Sequence, residues 1–515
     1  MEFFSDLLLG FDKILTPSIL LVAVLGCALG MLTGVLPGFG PPAATALLLP
    51  LTFILEPTAS IVMIAAIYYG TMYGGTITSV LFNVPGEVSS VVTGIDGHAM
   101  AKQGQAGKAL AIAAIGSFVG GTLAMFGMAF AVRFADLALK LTFIDIFGLS
   151  VLALMLVIAL AGQSLVKGLI SGGIGLFVGT VGLDQFTGSP RYVFGIPDLM
   201  AGISYIAVVM GLFGLSEILG SLNAKQPVGT TSTMGSLRLK WQDLRASFGS
   251  MLRGTGVGFF FGLLPGSPSA AAAFTSYAVE KRVSKSPERF GHGAIQGVAG
   301  PETANNALAI SNFIPLLTLG IPSSSTMAMI MGALLINGLQ PGPLLFEDHP
   351  EVAWGLIASL ILSNFILLIM ALPMVRMWVS VLRVPSRILS PIILGLMTVG
   401  AFVMNSSTFD VAVMWIAGVV GLGFRHFHIP LAPAALTLVL GPMLEENLRR
   451  ALTLNESLPQ TLVVNPVALI AIGLTVLLIV LKTGAGIFQA SRSRLATRDR
   501  PESSDESPSV RQTLP

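Results

Sequence analysis

Three stretches without a single charged side chain restrict most strongly what this chain can fold into. They cover residues 14–55, 57–86 and 303–346. One crossing of the hydrocarbon layer takes roughly 20 apolar residues, so each stretch must contain a helix pair or a re-entrant hairpin. Further uncharged runs are long enough for one crossing each, at residues 109–132, 146–166, 352–375 and 388–409. The sequence therefore predicts an all-α polytopic membrane protein with about 10 to 13 membrane segments.

The overall composition also indicates a membrane protein. Charged residues make up 10% of the 515 residues and hydrophobic residues 53%, with a mean hydropathy of +0.83. A soluble chain usually carries about 25% charged residues, because its surface faces water. The net charge of +2 gives no indication of a nucleic-acid partner. Cys27 is the only cysteine, which excludes an intrachain disulfide and a cysteine metal cluster.

An internal repeat is the most informative pattern in the chain. The motif Gly-Val-Leu-Pro-Gly at residues 34–38 recurs as Gly-Leu-Leu-Pro-Gly at 262–266, an offset of 262 − 34 = 228. Further along, the segment around Pro85 resembles the segment around Pro322, an offset of 322 − 85 = 237. Two matches in the same order at similar offsets predict two related halves, each with broken or re-entrant helices.

These matches divide the chain into two transmembrane halves, at residues 1–221 and 254–485. The segment 222–253 between them is rich in lysine and arginine. Because positively charged loops stay on the cytoplasmic side, we interpret this segment as a basic cytoplasmic linker. The tail at 486–515 is rich in serine, proline and charged residues, and it is predicted to be a disordered cytoplasmic tail.

The Gly/Pro breaks inside these apolar helices have a specific physical meaning. Proline removes a backbone donor, and glycine allows the chain to unwind. Broken backbone in lipid costs several kcal/mol for each unsatisfied group, unless it is buried in protein or faces a wet cavity. Small residues also serve helix packing, but packing alone does not require the same break twice. Breaks at corresponding places of two halves therefore predict the midplane site of a secondary transporter.

The breaks and the polar residues beside them form the predicted site. Freed amides and helix N-termini can hold an anion, whereas carbonyl and side-chain oxygens can hold a cation. The predicted substrate-binding residues are Gly38, Gly86, Ser89, Ser90, Gly266, Ser323, Ser324, Ser325 and Thr326. The candidate cation-binding residues are Thr78, Asn83, Asn305, Asn306 and Asn312.

Two acidic residues lie close to these segments. Glu302 is either a functional group at membrane depth or a residue that merely favours the N-terminus of a helix. Glu87 is interpreted as structural, because the residue at the equivalent position of the second half, 87 + 237 = 324, is Ser324. The uncharged polar residues are therefore the preferred candidates.

Motifs for other chemistries are weak or missing in the sequence. Residues 104–109 resemble a phosphate-binding loop only faintly, because the spacing is short and no serine or threonine follows Lys108. His426 and His428 are two positions apart, not the four of a helical metal pair. No Gly-x-Ser-x-Gly motif occurs. We therefore expect no enzyme activity, no cofactor and no transition-metal site.

The ordered set of motifs resembles one known family. The set comprises Gly-Val-Leu-Pro-Gly at 34–38, Tyr-Gly-Gly at 73–75, Asn-Val-Pro-Gly-Glu at 83–87, Asp-Gly at 96–97, Glu-Thr-Ala-Asn-Asn at 302–306, Leu-Gly-Ile-Pro at 319–322 and Asn-Gly-Leu-Gln-Pro-Gly-Pro at 337–343. From about residue 20 to residue 480, the chain resembles the large membrane subunit of tripartite tricarboxylate transporters. The ordered set is more specific than any one of its motifs.

That resemblance implies a substrate class and partners. Members of the family work with a small four-helix membrane subunit and a periplasmic solute-binding protein in the bacterial inner membrane. They import carboxylates such as citrate on a sodium or proton gradient. The chain departs from the family pattern at Ser323-Ser324-Ser325, where glycine often stands among the small residues after Ile-Pro. The expected function is carboxylate import by cation symport, with the particular carboxylate left open.

Three other functions stay open at this point. The chain could be an organic-anion carrier or exporter that works without a binding protein. It could be a membrane enzyme, although no convergent set of catalytic residues is visible in the sequence. It could also be a structural subunit that only assembles a transport complex.

Overall fold

The first half is a series of helices with two breaks. The computed structural model describes residues 2–36, 39–132, 138–162, 164–184, 186–221, 236–375, 377, 386–454 and 465–498. The helices of the first half are α1 (Glu2–Ile14), α2 (Pro17–Gly34), α3 (Pro41–Leu48), α4 (Pro57–Phe82), α5 (Ser90–Lys102), α6 (Ala106–Val132), α7 (Phe143–Leu160), α8 (Leu165–Gly179), α9 (Tyr205–Val209) and α10 (Ser216–Ser221). A short hairpin of β1 (Gly182–Leu183) and β2 (Pro190–Arg191) lies between α8 and α9.

The second half follows the same plan. Its helices are α11 (Trp241–Leu263), α12 (Ser269–Val283), α13 (Gln296–Ser311), α14 (Phe313–Leu319), α15 (Ser325–Ile336), α16 (Leu344–Asp348), α17 (Pro350–Ala371), α18 (Ser386–Asn405), α19 (Thr408–His426), α20 (Leu431–Leu454) and α21 (Pro466–Arg498). Among the described residues, seven helices are long and apolar enough to cross a membrane, and five shorter apolar helices accompany them. The predicted all-α polytopic membrane fold is confirmed.

Prolines and left-handed residues decide where several helices begin and end. Pro17, Pro57 and Pro350 stand in the first turns of α2, α4 and α17, where an amide would have no intrahelical partner. Helix α4 ends at Asn83 with φ 56°, and α14 ends at Gly320 with φ 68°. These two left-handed residues are separated by 320 − 83 = 237, the offset of the second sequence match. The repeated sequence therefore folds into repeated helix ends.

The two halves use the same helix packing. The most extensive helix contacts are those of α2 with α4 in the first half and of α11 with α13 in the second. Glycines permit this close approach, since a Cβ on Gly30 would overlap the carbonyl of Ile67 and one on Gly258 would overlap the carbonyl of Ala304. The halves also interlock, because α6 packs on α13 and α17 packs on α4.

Hydrogen bonds at equivalent positions hold the interlocked helices together. The Tyr69 hydroxyl on α4 donates to Asn364 Oδ1 on α17 at 2.8 Å. Asn306 Nδ2 on α13 donates to Ser117 Oγ on α6, also at 2.8 Å. Tyr69 and Asn306 are again separated by 306 − 69 = 237. The pseudo-symmetry of the two halves therefore extends to their polar contacts.

Asp96 ties the first half to the loop that precedes α13. Its Oδ1 accepts hydrogen bonds from the backbone amides of Gly291, Gly293 and Ala294 at 2.9, 2.7 and 2.8 Å. Its Oδ2 accepts one from the Tyr277 hydroxyl at 2.9 Å. A carboxylate with several such donors holds a loop firmly. This aspartate belongs to the Asp-Gly motif at residues 96–97.

The basic segment 222–253 is only partly a linker. Helix α11 begins at Trp241, within the range that the charge pattern assigns to the linker. The Asp243 carboxylate caps the start of this helix by accepting the Lys240 amide at 3.0 Å, and it pairs with Lys108 at 2.7 Å. Acidic groups in the first turn favour a helix, so the helix starts earlier than the basic residues suggest.

Helix α21 reaches further than the hydrophobic pattern predicts. It runs from Pro466 to Arg498 and so enters the segment 486–515 that we interpret as a disordered tail. No proline occurs between Pro466 and Pro501, so no residue in that interval blocks helix propagation. The rest of the tail, from residue 499, lies outside the described residues.

The hairpin between α8 and α9 is held by Asp184. Backbone hydrogen bonds from Thr187 and Phe186, together with the guanidinium groups of Arg449 and Arg191, hold the pKa of Asp184 well below its usual range. Both arginines lie 3.0 Å from Asp184 Oδ2. Because Arg449 belongs to α20, this network attaches the hairpin to the second half.

Candidate functional site

The four Gly/Pro breaks of the two repeats meet around one cavity of about 590 Å³. Its wall contains residues 40–42 at the start of α3, 85–88 between α4 and α5, 266–270 at the start of α12, and 323–326 at the start of α15. Other lining residues come from intact helices: Tyr68 and Met72 from α4, Leu308 from α13, Val157 from α7 and Leu436 from α20. The volume is typical of a small-molecule site.

The break before α15 presents a helix N-terminus to the cavity. Ser324 is the N-cap residue, and its Oγ accepts a hydrogen bond from the Met327 amide at 3.2 Å. The amides of Ser325 and Thr326, in the first turn, have no intrahelical partner. Both residues line the cavity, and neither hydroxyl is bonded to another residue that the structure describes. Two hydroxyls and two amides are therefore free for a ligand.

The two breaks of the second half are joined through their backbones. The Gly266 amide donates to the Ser323 carbonyl at 2.7 Å, and the Ser323 hydroxyl donates to the Asn312 carbonyl at 3.0 Å. Gly266 has φ 79°, and a Cβ at this position would overlap the backbone of Val157 on α7. Glycine is required here both for the left-handed conformation and for the close approach of α7.

Glu87 is the only charged side chain among the described residues that line the cavity. It lies in the break between α4 and α5, and its side chain is buried. Its Oε1 accepts hydrogen bonds from the Ser89 hydroxyl and, at 2.7 Å, from Asn305 Nδ2 on α13. The Ser90 hydroxyl donates to the Glu87 carbonyl at 2.8 Å and accepts from the Ser79 hydroxyl at 2.7 Å. Through Asn305, the second half thus helps to hold the Glu87 carboxylate of the first half.

Glu302 of α13 lies behind the cavity wall and is fully buried. Its Oε2 accepts hydrogen bonds from Thr76 at 2.8 Å and Thr93 at 3.1 Å. Its Oε1 accepts from Ser117 at 3.1 Å and from Asn306 Nδ2 at 3.4 Å. The first three donors come from α4, α5 and α6, so the first half in turn holds the carboxylate of the second.

Comparison with known proteins identifies the family. The sequence profile described as the tripartite tricarboxylate transporter TctA family matches residues 20–436. The chain belongs to this family. The resemblance read from the motifs is confirmed. Family membership together with the apolar helices makes the chain a multi-pass membrane protein and the large subunit of a tripartite transport system, in a family of transporters and not of enzymes.

Two proteins of Agrobacterium vitis are similar to this family member. An uncharacterized 52.8 kDa protein in the TAR-I ttuC' 3' region is 45% identical over 486 residues, which cover 93% of this chain and 97% of the relative. An uncharacterized protein in the TAR-II ttuC' 3' region is 44% identical over 224 residues, which cover 44% of this chain and 93% of the relative. No solved structure matches the chain.

The structure separates the predicted substrate-binding residues into two groups. Those that line the cavity are Gly86, Gly266, Ser323, Ser324, Ser325 and Thr326. Ser89 and Ser90 instead form hydrogen bonds around Glu87. Gly38 lies outside the described residues. Substrate binding by each of these residues stays a prediction.

The candidate cation-binding residues lie in three places. Asn305 and Asn306 contact the two buried carboxylates, as described above. Asn312 lines the cavity, and its Nδ2 donates to the Tyr68 hydroxyl at 3.3 Å. Thr78 donates to the Gly75 carbonyl at 3.1 Å, and the exposed Asn83 forms the left-handed end of α4. Neither Thr78 nor Asn83 lines the cavity.

Glu87 ranks below the uncharged polar residues as a site candidate when only the sequence is considered. We interpret it as structural because the second half has no equivalent acid, yet the structure puts it in the cavity wall. A signal was available, since a charge inside a repeated break is unusual at membrane depth. The apolar lining residues from α7 and α20, such as Val157 and Leu436, carry no such signal, because they look like any other residue of an apolar helix.

Proposed function

We propose that this chain is the membrane subunit that moves a tricarboxylate or a related organic anion into the cell by cation symport. The observation that supports it is the cavity at the four breaks. It offers hydroxyls, free amides and helix N-termini to an anion, and none of its described lining residues is basic. Family membership supports the transport role and the carboxylate substrate class.

Helix ends supply the positive potential that an anion needs. Helices α12 and α15 both begin at the cavity, at Ser269 and Ser325. The N-terminus of a helix carries roughly +0.5 of an elementary charge and exposes unpaired amides. An anion held in this way forms no ion pair with arginine or lysine. It can therefore leave readily when the cavity opens to the other side of the membrane.

The partners and the location follow from the family. We propose a small membrane subunit and a periplasmic solute-binding protein as partners, in the bacterial inner membrane. The basic segments would then face the cytoplasm, as the positive-inside bias suggests. Because each half contributes two breaks to the cavity, movement of one half relative to the other would change which side of the membrane the cavity faces.

Reconstituted transport tests this function. A candidate solute-binding protein from the same organism would be screened by thermal shift against mono-, di- and tricarboxylates, and the strongest ligand would be used in labelled form. Proteoliposomes that contain both membrane subunits, with the binding protein outside, should accumulate it only under an inward sodium or proton gradient. Absence of accumulation under either gradient, for every acid tested, would refute the proposal.

The hydroxyls of α15 are the place to test the anion site. Replacing Ser325→Ala together with Thr326→Val removes two hydroxyls, which should raise the KM for the anion about tenfold at roughly 0.7 kcal/mol for each hydrogen bond. Thr475→Val is the matched control, because its hydroxyl donates to the Ala471 carbonyl at 2.9 Å on α21, away from the cavity. An unchanged KM in the double variant would place the anion elsewhere.

The same proteoliposomes test whether uptake depends on the solute-binding protein and in which direction the anion moves. If uptake remains complete when the binding protein is left out, the chain is a carrier that works alone. If the anion accumulates on the opposite side of the membrane, the chain is an exporter. Dependence on the binding protein would show as loss of uptake that returns when the protein is added back.

A further inference from the structure

Two carboxyl groups lie in and behind the wall of a cavity that we assign to an anion. Glu87 is 6% exposed and Glu302 is 0% exposed. Neither forms an ion pair with a residue that the structure describes. Hydrogen bonds stabilise both carboxylates, but a buried carboxylate without a counter-charge stays unfavourable, so a bound proton or cation would stabilise each group.

Three buried acceptor oxygens around these carboxyl groups lack a partner. They are Glu87 Oε2, Asn305 Oδ1 and Asn306 Oδ1, and none has a hydrogen bond from the described residues. Asn305 is bonded to Glu87 through its amide nitrogen, and Asn306 is bonded to Glu302 in the same way. Buried polar atoms are nearly always satisfied in native proteins. Because each of them is an acceptor, each can take a hydrogen bond from a protonated carboxyl group or a water molecule, or act as a ligand of a metal cation.

The surroundings fit a small monovalent cation. The Glu302 carboxylate is surrounded by the hydroxyls of Thr76, Thr93 and Ser117. Hydroxyl groups can turn their lone pairs toward a cation when one is present, or donate to a carboxylate when it is absent. Carboxylate, amide and hydroxyl oxygens are the ligands that hard cations prefer. The same oxygens would equally accept a proton that a carboxylic acid donates.

We infer that Glu87 and Glu302, with Asn305 and Asn306, form the site of the coupling cation, a proton or a sodium ion. The inference rests on the proposed function, because it assigns the coupling step of that transport to these residues. An ionised Glu87 in the wall repels an anionic substrate from the cavity. A cation at Glu87 removes this repulsion, so the anion binds only after the cation.

The neighbouring titratable groups do not supply this neutralisation. Those that face the pair from packed helices are Tyr68, Tyr69 and Tyr73 of α4. A phenol is neutral at ordinary pH and can donate a hydrogen bond, but it brings no positive charge. No described neighbour therefore supplies a positive charge to the pair, and a cation from solution would provide it.

Cation binding to the purified full-length protein tests the site without any anion. Thermal unfolding would be followed in detergent with 0 to 200 mM NaCl at fixed pH, using choline chloride as the ionic-strength control, and then from pH 5 to pH 9 without sodium. Glu87→Gln and Glu302→Gln keep the shape of the side chain and remove its charge. Glu446→Gln is the matched control, an exposed carboxylate on α20 paired with Arg450.

Each outcome of this experiment decides the inference. Sodium should raise the Tm of the wild type and of Glu446→Gln by several degrees but leave both cavity variants unchanged, as expected when a ligand binds only the folded state. Alternatively, if the ion is a proton, sodium has no effect, and the wild type gains Tm as the pH falls whereas Glu87→Gln does not. If Glu87→Gln and Glu302→Gln respond to sodium and to pH as the wild type does, the inference is wrong.

Transport separates this inference from the proposed function. In proteoliposomes, Glu87→Gln should lose at least tenfold in accumulation driven by the cation gradient, whereas the surface variant Glu446→Gln should accumulate the anion as the wild type does. If the wild type transports no carboxylate, the proposed function fails, and the unfolding experiment still decides the cation site. If the wild type transports and Glu87→Gln accumulates the anion as strongly, the coupling role fails alone.

Discussion

The break after α4 and the break after α14 share a backbone and differ in their chemistry. Asn83 and Gly320 both adopt the left-handed conformation, and each is followed two residues later by a proline. Two positions after that proline, the first half has Glu87 and the second half has Ser324. The duplicated backbone forms the cavity. Its two sides differ in charge because Glu87 of the first half corresponds to Ser324 of the second.

The helices that lead into these breaks also differ between the halves, both in continuity and in the position of an acidic residue. Helix α4 is continuous, whereas its counterpart is divided at Asn312 into α13 and α14; the residue of α4 at 312 − 237 = 75 is Gly75. Glu302 corresponds to Ala65, at 302 − 237 = 65. Each half therefore contains one acidic residue near the cavity, at places that are not equivalent. The proposed binding of one anion and one cation makes use of this difference between the halves.

The largest expected effect comes from the backbone that both halves share. Gly266→Ala should lower the free energy of unfolding by about 2 to 5 kcal/mol, because a Cβ is strained at a left-handed φ and overlaps the backbone of Val157. Gly256→Ala on α11 is the control, since a Cβ there has no neighbour within 4 Å. Thermal unfolding in detergent at a fixed scan rate compares the two. Equal Tm values would mean that α7 does not approach the break this closely.

A smaller effect is expected at the equivalent contacts between the halves. Asn306→Ala removes the donor to Ser117 and to Glu302, which should cost about 2 kcal/mol because buried acceptors lose a partner. Tyr69→Phe removes one neutral hydrogen bond to Asn364 and should cost about 1 kcal/mol. Asn364 keeps its other bonds, to Phe118 and Thr122.

The same unfolding measurement ranks these two variants. If Tyr69→Phe proves as destabilising as Asn306→Ala, the two contacts are equivalent in energy as well as in position. The Glu302 carboxylate would then add nothing to the stability that the contacts of Asn306 provide.

The smallest effect is expected at Asn83. Asn83→Gly should change the free energy of unfolding by less than about 0.5 kcal/mol, because glycine adopts the left-handed conformation at least as readily and the Asn83 side chain is exposed. Uptake should also be unchanged, since Asn83 does not line the cavity. If the variant instead lost cation-driven uptake at an unchanged free energy of unfolding, the result would support the predicted role of Asn83 in cation binding.

Much of this molecule could be predicted from the sequence. The uncharged stretches predict apolar helices because lipid leaves no alternative for the backbone, and the offset of 237 predicts the matching ends at Asn83 and Gly320. The serines at 323–325 are predicted site residues because they follow a proline, and they line the cavity. Such local features depend on residues that are close together in the chain.

Contacts between residues far apart in the chain became visible only in the folded protein. Glu87 and Asn305 are 218 positions apart, and Thr76 and Glu302 are 226 apart, so no local pattern connects them. Local sequence patterns predict a two-fold set of broken helices in a membrane. That the four breaks share one cavity, with one carboxylate in its wall and another behind it, follows from how α4 and α13 pack, because helix packing depends on shapes and contacts that periodicity does not encode.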